Sequence, residues 1–281
     1  KMTAFERAVQ IEKLSSASSM VCLDNSLFII GDSSQYLWRV SPEGDLCPYP
    51  LCDEADLENE PLAKKIKPDF EALAYDPYQE LLYVLPSGSR KNRFEGVSVD
   101  LKEKAFDIQT IDLEPLYKRV KKKAKLKSKD LNVEGVGAMG EGKWFLLNRG
   151  NGPLERNLFI ALEGKCLIET NPIETIEIDL PEIGGIQATL TDGFVLGDNL
   201  FLVAAAEGVK STWLDGEVAG SLFARFDLKK QKLKEWYRLP GNIKFEGVAL
   251  QTADESALSV FLCSDQDDPK QPGEVYKAHF E

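Results

Sequence analysis

The 281-residue chain predicts an all-β fold: a five-bladed β-propeller closed by its N-terminal strand, with one helical insertion between blades two and three. Three observations predict it. A short acid-bearing phrase recurs at blade-length intervals, β-rich runs follow each copy, and the run missing from the last unit is found at the N-terminus.

The phrase reads Phe70-Glu71-Ala72-Leu73-Ala74, Val133-Glu134-Gly135-Val136-Gly137, Thr191-Asp192-Gly193-Phe194-Val195 and Phe245-Glu246-Gly247-Val248-Ala249. Each copy is an apolar residue or Thr, an acid, a small residue and an apolar run. A weaker first copy, Ser18-Ser19-Met20-Val21-Cys22, puts Ser18 in the acid's place. Positions 18, 71, 134, 192 and 246 stand 53, 63, 58 and 54 residues apart. These intervals exceed the ~40–50 of common propeller repeats but fit one blade each with loops of varying length. The letters Phe94-Glu95-Gly96-Val97 also occur at the third strand of blade two, so the phrase carries information only in phase with the blades.

After each phrase comes a turn and a second run, at 27–30, 81–85, 144–147, 200–204 and 258–263. Third and fourth runs follow, as at 94–99 and 106–112 or at 221–227 and 233–238. The last unit supplies only 246–250, 258–263 and 274–280, and the unassigned run 5–13 completes it. Ring closure hides the sheet edges that a linear stack leaves open. Residues 113–129 break the strand pattern. Glu114-Pro115 is a favourable first-turn pair, and Leu116, Val120 and Leu126 space an apolar stripe among lysines, so a helix is expected there.

Composition bounds the function. With 43% hydrophobic and 28% charged residues the chain reads as one globular domain over 1–281. No stretch approaches the ~20 apolar residues of a membrane helix, and the first 13 residues lack the apolar run of a signal peptide. Five cysteines (Cys22, Cys47, Cys52, Cys166, Cys263) cannot all pair, and Cys22 and Cys263 sit in apolar strand-like runs as buried thiols do. A reducing, cytoplasmic location is expected, with room left for a leader upstream of Lys1. The net charge of -12 argues against a nucleic-acid partner, although 118–129 is locally basic. The sole histidine, His279, removes histidine-based hydrolase chemistry and multi-histidine zinc sites. Trp38, Trp144, Trp213 and Trp236 read as blade core.

The first strand of each propeller blade lines the central channel, so the five marked positions converge there. Ser18, Glu71, Glu134, Asp192 and Glu246 are therefore the candidate metal ligands. Carboxylates brought together repel and raise one another's pKa values unless a cation lies between them, and an oxygen-only ring suits calcium. The alternative is that these acids are solvated or bonded to amides of neighbouring blades.

The acid-glycine phrases, with Leu131-Asn132-Val133-Glu134-Gly135-Val136 after the basic helix, resemble the esterase-like phytase and SdiA-regulated propeller families over most of the chain. The channel pattern is similar to that of calcium-dependent apyrases, which are five-bladed and place a serine or glutamate from each blade in the channel. Ser18, Glu71, Glu134 and Glu246 match that order, whereas Asp192 stands where a serine is expected.

Loops between second and third strands should open on the same rim: Asp32-Ser33-Ser34, Ser87-Gly88-Ser89-Arg90, Asn148-Arg149-Gly150-Asn151, Glu207-Gly208 and Asp265-Gln266-Asp267-Asp268. Arg90 and Arg149 are the expected two-pronged clamp for an anion beside the cation. The leading functional expectation is a calcium-bound propeller that binds or hydrolyses a small phosphorylated or otherwise anionic ligand at the channel mouth. In the hydrolytic version Glu71 or Glu134 accepts a proton while Arg90 and Arg149 stabilise developing charge. A non-catalytic scaffold with a structural channel metal is the alternative, and a carboxylate-pair glycoside hydrolase a third.

Overall fold

The computed structural model describes residues 1–102, 105–208, 217–266 and 268–281, whose strands form five four-stranded antiparallel sheets. Strand β1 spans Met2–Ile11. Blade one contains β2 (Ala17–Leu23), β3 (Ser26–Gly31), β4 (Tyr36–Val40) and β5 (Leu46–Pro50), and blade two contains β6 (Phe70–Asp76), β7 (Leu81–Pro86), β8 (Glu95–Asp100) and β9 (Asp107–Asp112). Helix α1 (Glu114–Ala124) leads into blade three, formed by β10 (Val133–Gly140), β11 (Lys143–Asn148), β12 (Leu158–Glu163) and β13 (Asn171–Glu177). A small hairpin, β14 (Glu182–Ile183) and β15 (Ile186–Gln187), precedes blade four, with β16 (Thr189–Leu196), β17 (Asn199–Glu207), β18 (Val218–Asp227) and β19 (Lys232–Arg238). Blade five has β20 (Lys244–Ala253), β21 (Leu258–Asp265) and β22 (Gly273–Phe280), and β1 is its fourth strand, running from Met2 opposite Phe280 to Ile11 opposite Gly273. The innermost strands contact one another in a closed ring, β2 to β6, β10, β16, β20 and back to β2.

Apolar burial is divided among the five interfaces between blades. Ile30 and Leu37 meet Leu73 and Leu82 between blades one and two, and Trp38 meets Ala249 and Cys263 between five and one. Second strands are apolar on both faces, as in Leu82–Leu85, because a neighbouring blade covers each side. Outermost strands have one wet face and alternate, which is why Trp236 on β19 is 42% exposed and is not the core residue its composition suggested. Trp38 and Trp144 are buried as expected, and Trp213 lies outside the described residues. No cysteine is paired; Cys263 is buried and Cys22 half-buried.

Helix α1 is shorter than its lysine-rich sequence implied, because Lys125 turns into the left-handed region (φ 56°) and ends it. Its buried stripe is Leu116, Tyr117, Val120 and Ala124. The Tyr117 hydroxyl donates to the Pro86 carbonyl at 2.6 Å, and its ring lies so close to Gly88 (φ +68°) that an added Cβ would come within 2.5 Å of it. Arg119 donates to the carbonyls of Ile168 and Thr170, tying the helix to blade three.

Candidate functional site

Every innermost strand opens with the same irregularity. Opposite the second strand of its blade, one residue has no partner in the register: Ser18 in β2, Glu71 in β6, Glu134 in β10, Thr191 in β16 and Glu246 in β20. Each is the extra residue of a β-bulge, a device that re-aims a side chain and bends the strand. Five bulges in phase therefore put five side chains at one level around the axis.

Two chemistries occupy these bulges. Ser18 donates to the Phe70 carbonyl (2.6 Å) and Thr191 donates to the Phe245 carbonyl (2.8 Å), in each case the residue just before the next blade's bulged glutamate. These hydroxyls stitch blade one to two and blade four to five. Glu71, Glu134 and Glu246 are instead buried carboxylates. Because side chains alternate along a strand, the residues two positions earlier share their face. They are Asp69, Asn132 and Lys244.

The mouth so formed is a network of opposite charges. Lys67 pairs with Asp32 and with Asp69, which also pairs with Arg93. Arg149 reaches Glu207 (3.2 Å), Glu134 (3.7 Å) and Glu246 (3.8 Å), and its Nε donates to Thr189. Lys244 lies 2.7 Å from Glu246, 3.4 Å from Glu207 and 3.5 Å from Asp265. Among the described residues, seven carboxylates thus face four cations, a formal excess of three negative charges.

Asp32, Asp69 and Glu71 bring ligand oxygens within 4.8 Å of one another, close enough to share one metal ion. Asp32 is saturated by Lys67 and by the hydroxyls of Ser16 and Ser33, each at 2.7 Å. Glu71 makes no hydrogen bond or salt bridge among the described residues, although it is 9% exposed. Burial, then the charges of Glu134, Asp69 and Asp32, push its carboxyl well above the ordinary range. An unpartnered buried carboxylate beside two others is a set of hard oxygen donors, the type that suits calcium or magnesium.

Glu134 accepts from the Asn132 amide at 2.9 Å through Oε1, while its buried Oε2 has no partner. Burial raises its pKa to about 8 against the opposing pull of Arg149, with Glu246 adding to the rise. Asp32 and Glu207 lie below their ordinary values: burial works against the shift in both, and Lys67 for Asp32 and Lys244 and Arg149 for Glu207 outweigh it.

The structure places Asp192 one position beyond the bulge, at the level below the glutamates. It accepts from Ser19 Oγ (2.9 Å), Val248 N (3.1 Å) and its neighbour Gly193 N (2.8 Å). Ser19 belongs to blade one and Asp192 to blade four, which are not neighbours in the ring, so this bond crosses the channel. Beneath it a cavity of about 180 Å³ opens between apolar residues such as Met20, Leu73, Phe145 and Phe194. Thr191, not Asp192, is the fourth blade's counterpart of Glu71.

Arg149 lies buried at the mouth, whereas Arg90 is exposed and Arg93 from the same loop makes the channel ion pair. Glu95 of the out-of-phase phrase is exposed on β8 and joins none of these ion pairs among the described residues. Among the rim loops, Asp32, Glu207 and Asp265 join the network, and Asp267 lies outside the described residues. Asp69, Asn132 and Lys244 stand outside the recurring phrase, although their period-two spacing from the bulged glutamates is a usable signal. Lys67 and Arg93 carried no such signal, since irregular loops bring them in. His279 bonds Ser259 within blade five at 2.7 Å and takes no part in the mouth.

Fold and mouth together define a five-bladed propeller with an acidic, base-studded channel entrance. The chain belongs to a family of unknown function, DUF6929, whose model matches residues 13–280. No curated protein matches its sequence. Among solved structures, a luciferin-regenerating enzyme is similar at 8% identity over 98% of this chain and 94% of that one, with a TM-score of 0.53. The major allergen Mala s 1 of Malassezia sympodialis aligns at 10% identity over 97% of this chain and 95% of its own, with a TM-score of 0.51. At such identities the likeness is one of fold.

Proposed function

We propose that this propeller binds a divalent cation, calcium, through Asp32, Asp69 and Glu71, and that the cation admits a small phosphorylated or otherwise anionic ligand to the channel mouth beside Arg149. The observation carrying this reading is Glu71: a buried carboxylate without a partner among the described residues, aimed by a bulge at two further carboxylates. Oxygen-only donors with irregular placement favour calcium over magnesium, which demands near-octahedral geometry. Binding there displaces Lys67 from Asp32 and Asp69. The resemblance to calcium-dependent apyrases points the same way, since each bulge position carries a hydroxyl or a glutamate, in the order Ser18, Glu71, Glu134, Thr191 and Glu246.

Charge explains why the cation should come first. An anion approaching the bare mouth meets an excess of negative charge, and a bound divalent ion brings the formal balance close to neutral. In a hydrolytic version Glu134, whose pKa sits near neutrality, is the group suited to hold or release a proton. The test is a calcium titration by calorimetry on the wild type and on Glu71→Gln, followed by binding and turnover of phosphate esters with calcium and with chelator. Calcium binding lost in Glu71→Gln and ester binding lost on chelation are expected. Equal calcium binding by both proteins, or ester binding indifferent to chelator, would sink the reading.

A further inference from the structure

A cavity of about 410 Å³ opens at the rim between blades five and one, and it shares Asp32 and Lys67 with the candidate cation site. Its volume falls in the range of small-molecule sites, roughly 300–1,000 Å³. Its chemistry is unusual. Ser16 Oγ and Ser33 Oγ both give their protons to Asp32 Oδ1 at 2.7 Å, so each hydroxyl has only lone pairs to offer the cavity. Asp268 adds acceptor oxygens to the lining, and Lys64 supplies a donor. Leu62, held by its N–H on the Ser33 carbonyl, forms the apolar part of the wall together with Pro61, Ala63 and Pro269.

An acceptor-rich wall asks its occupant to donate hydrogen bonds. A phosphate dianion has at most one proton to give to this wall and, although it can pair with Lys64 and Lys67, it meets the Asp268 carboxylate. A nucleobase finds no aromatic face, for among the described residues no aromatic side chain lines this cavity. A chain of hydroxyls satisfies the wall, each giving a proton to a serine or aspartate oxygen while its own oxygen accepts from Lys64. The shared Asp32 fixes where such a molecule meets the cation.

We propose that the cavity between blades five and one binds the hydroxyl-rich body of the ligand, so that the protein recognises a sugar or polyol phosphate. The calcium dependence of this site rests on the cation reading above; the hydroxyl selectivity does not. Calorimetry with calcium present, using inorganic phosphate, glycerol 3-phosphate, ribose 5-phosphate and 2-deoxyribose 5-phosphate as probes, tests it. Affinity should rise with hydroxyl count, ribose 5-phosphate binding at least about tenfold tighter than inorganic phosphate and 2-deoxyribose 5-phosphate falling between them. Leu62→Trp should fill the cavity and reduce the sugar phosphates to the level of inorganic phosphate, with the calcium titration unchanged. Equal affinity for all four probes, or a preference for ribose 5-phosphate that survives in Leu62→Trp, overturns the proposal. Hydroxyl selectivity that persists in chelator and disappears in Leu62→Trp upholds this cavity while overturning the calcium site.

Discussion

Blades one and four differ from blades two, three and five at one equivalent position. In the first pair the bulge holds a hydroxyl, Ser18 or Thr191, whose proton is spent on the next blade's backbone. In the others it holds a glutamate that the backbone leaves alone. The same bend in the chain therefore serves two ends. A short neutral donor closes the ring, while a longer acid at the same level reaches the mouth and remains open to an added cation or proton. The carboxylate half of this ring should govern ligands and the hydroxyl half should govern stability.

The largest expected effect breaks the comparison most directly. Glu71→Gln should weaken calcium binding on the order of 100-fold, about 2.7 kcal/mol, while Ser18→Ala should leave the calorimetric affinity unchanged. If both variants lose calcium alike, the two kinds of bulge are not functionally distinct. Next comes Arg149→Met, which strips Glu134 and Glu246 of a buried partner and should cost about 3–5 kcal/mol in urea unfolding. Adding Glu134→Gln should return part of that loss, because the two sites are coupled.

An acid pH series sharpens the contrast. The folded state holds a proton on Glu134 up to about pH 8, whereas the unfolded chain gives it up near the ordinary 4.5. Across that window the native state binds more protons, so without metal stability should fall as pH rises, by about 2 kcal/mol between pH 6 and 8. Asp32 and Glu207, with lowered values, contribute stability lost only below the usual carboxylate range, outside this window. Glu134→Gln should reduce the decline in thermal melts, the remainder belonging to Glu71 and Asp192, whose buried carboxyls are also raised; an unchanged slope would remove Glu134 as a source.

Smaller effects belong to the hydroxyls. Thr191→Val keeps the shape but leaves the Phe245 carbonyl without its donor, and should cost about 1–2 kcal/mol with calcium affinity intact. Arg90→Ala, at an exposed position, should move stability by less than about 0.5 kcal/mol and ligand affinity hardly at all.

Most of the fold was legible because a propeller repeats its grammar. The second-strand runs, the helix between blades two and three and the N-terminal strand of blade five follow from apolar periodicity that recurs once per blade. The site was legible only in part. Matching acid to acid set Asp192 beside Glu71, Glu134 and Glu246, but the bulge lies one residue earlier, and one residue in a strand exchanges its faces. Arg90 and Arg93 illustrate the same limit in a loop, where no period says which of two arginines turns inward.

The sequence by itself determined the number of blades, the strand that completes the last one and the glutamates of blades two, three and five, since each depends on a pattern repeated within the chain. Only the tertiary structure decided that Thr191 replaces Asp192 in the ring, that Asp192 bridges to Ser19 across the channel, and that Asp32 and Asp69 join Glu71. Bulge register and loop packing depend on contacts between residues far apart in the chain, and local propensity does not encode those distances.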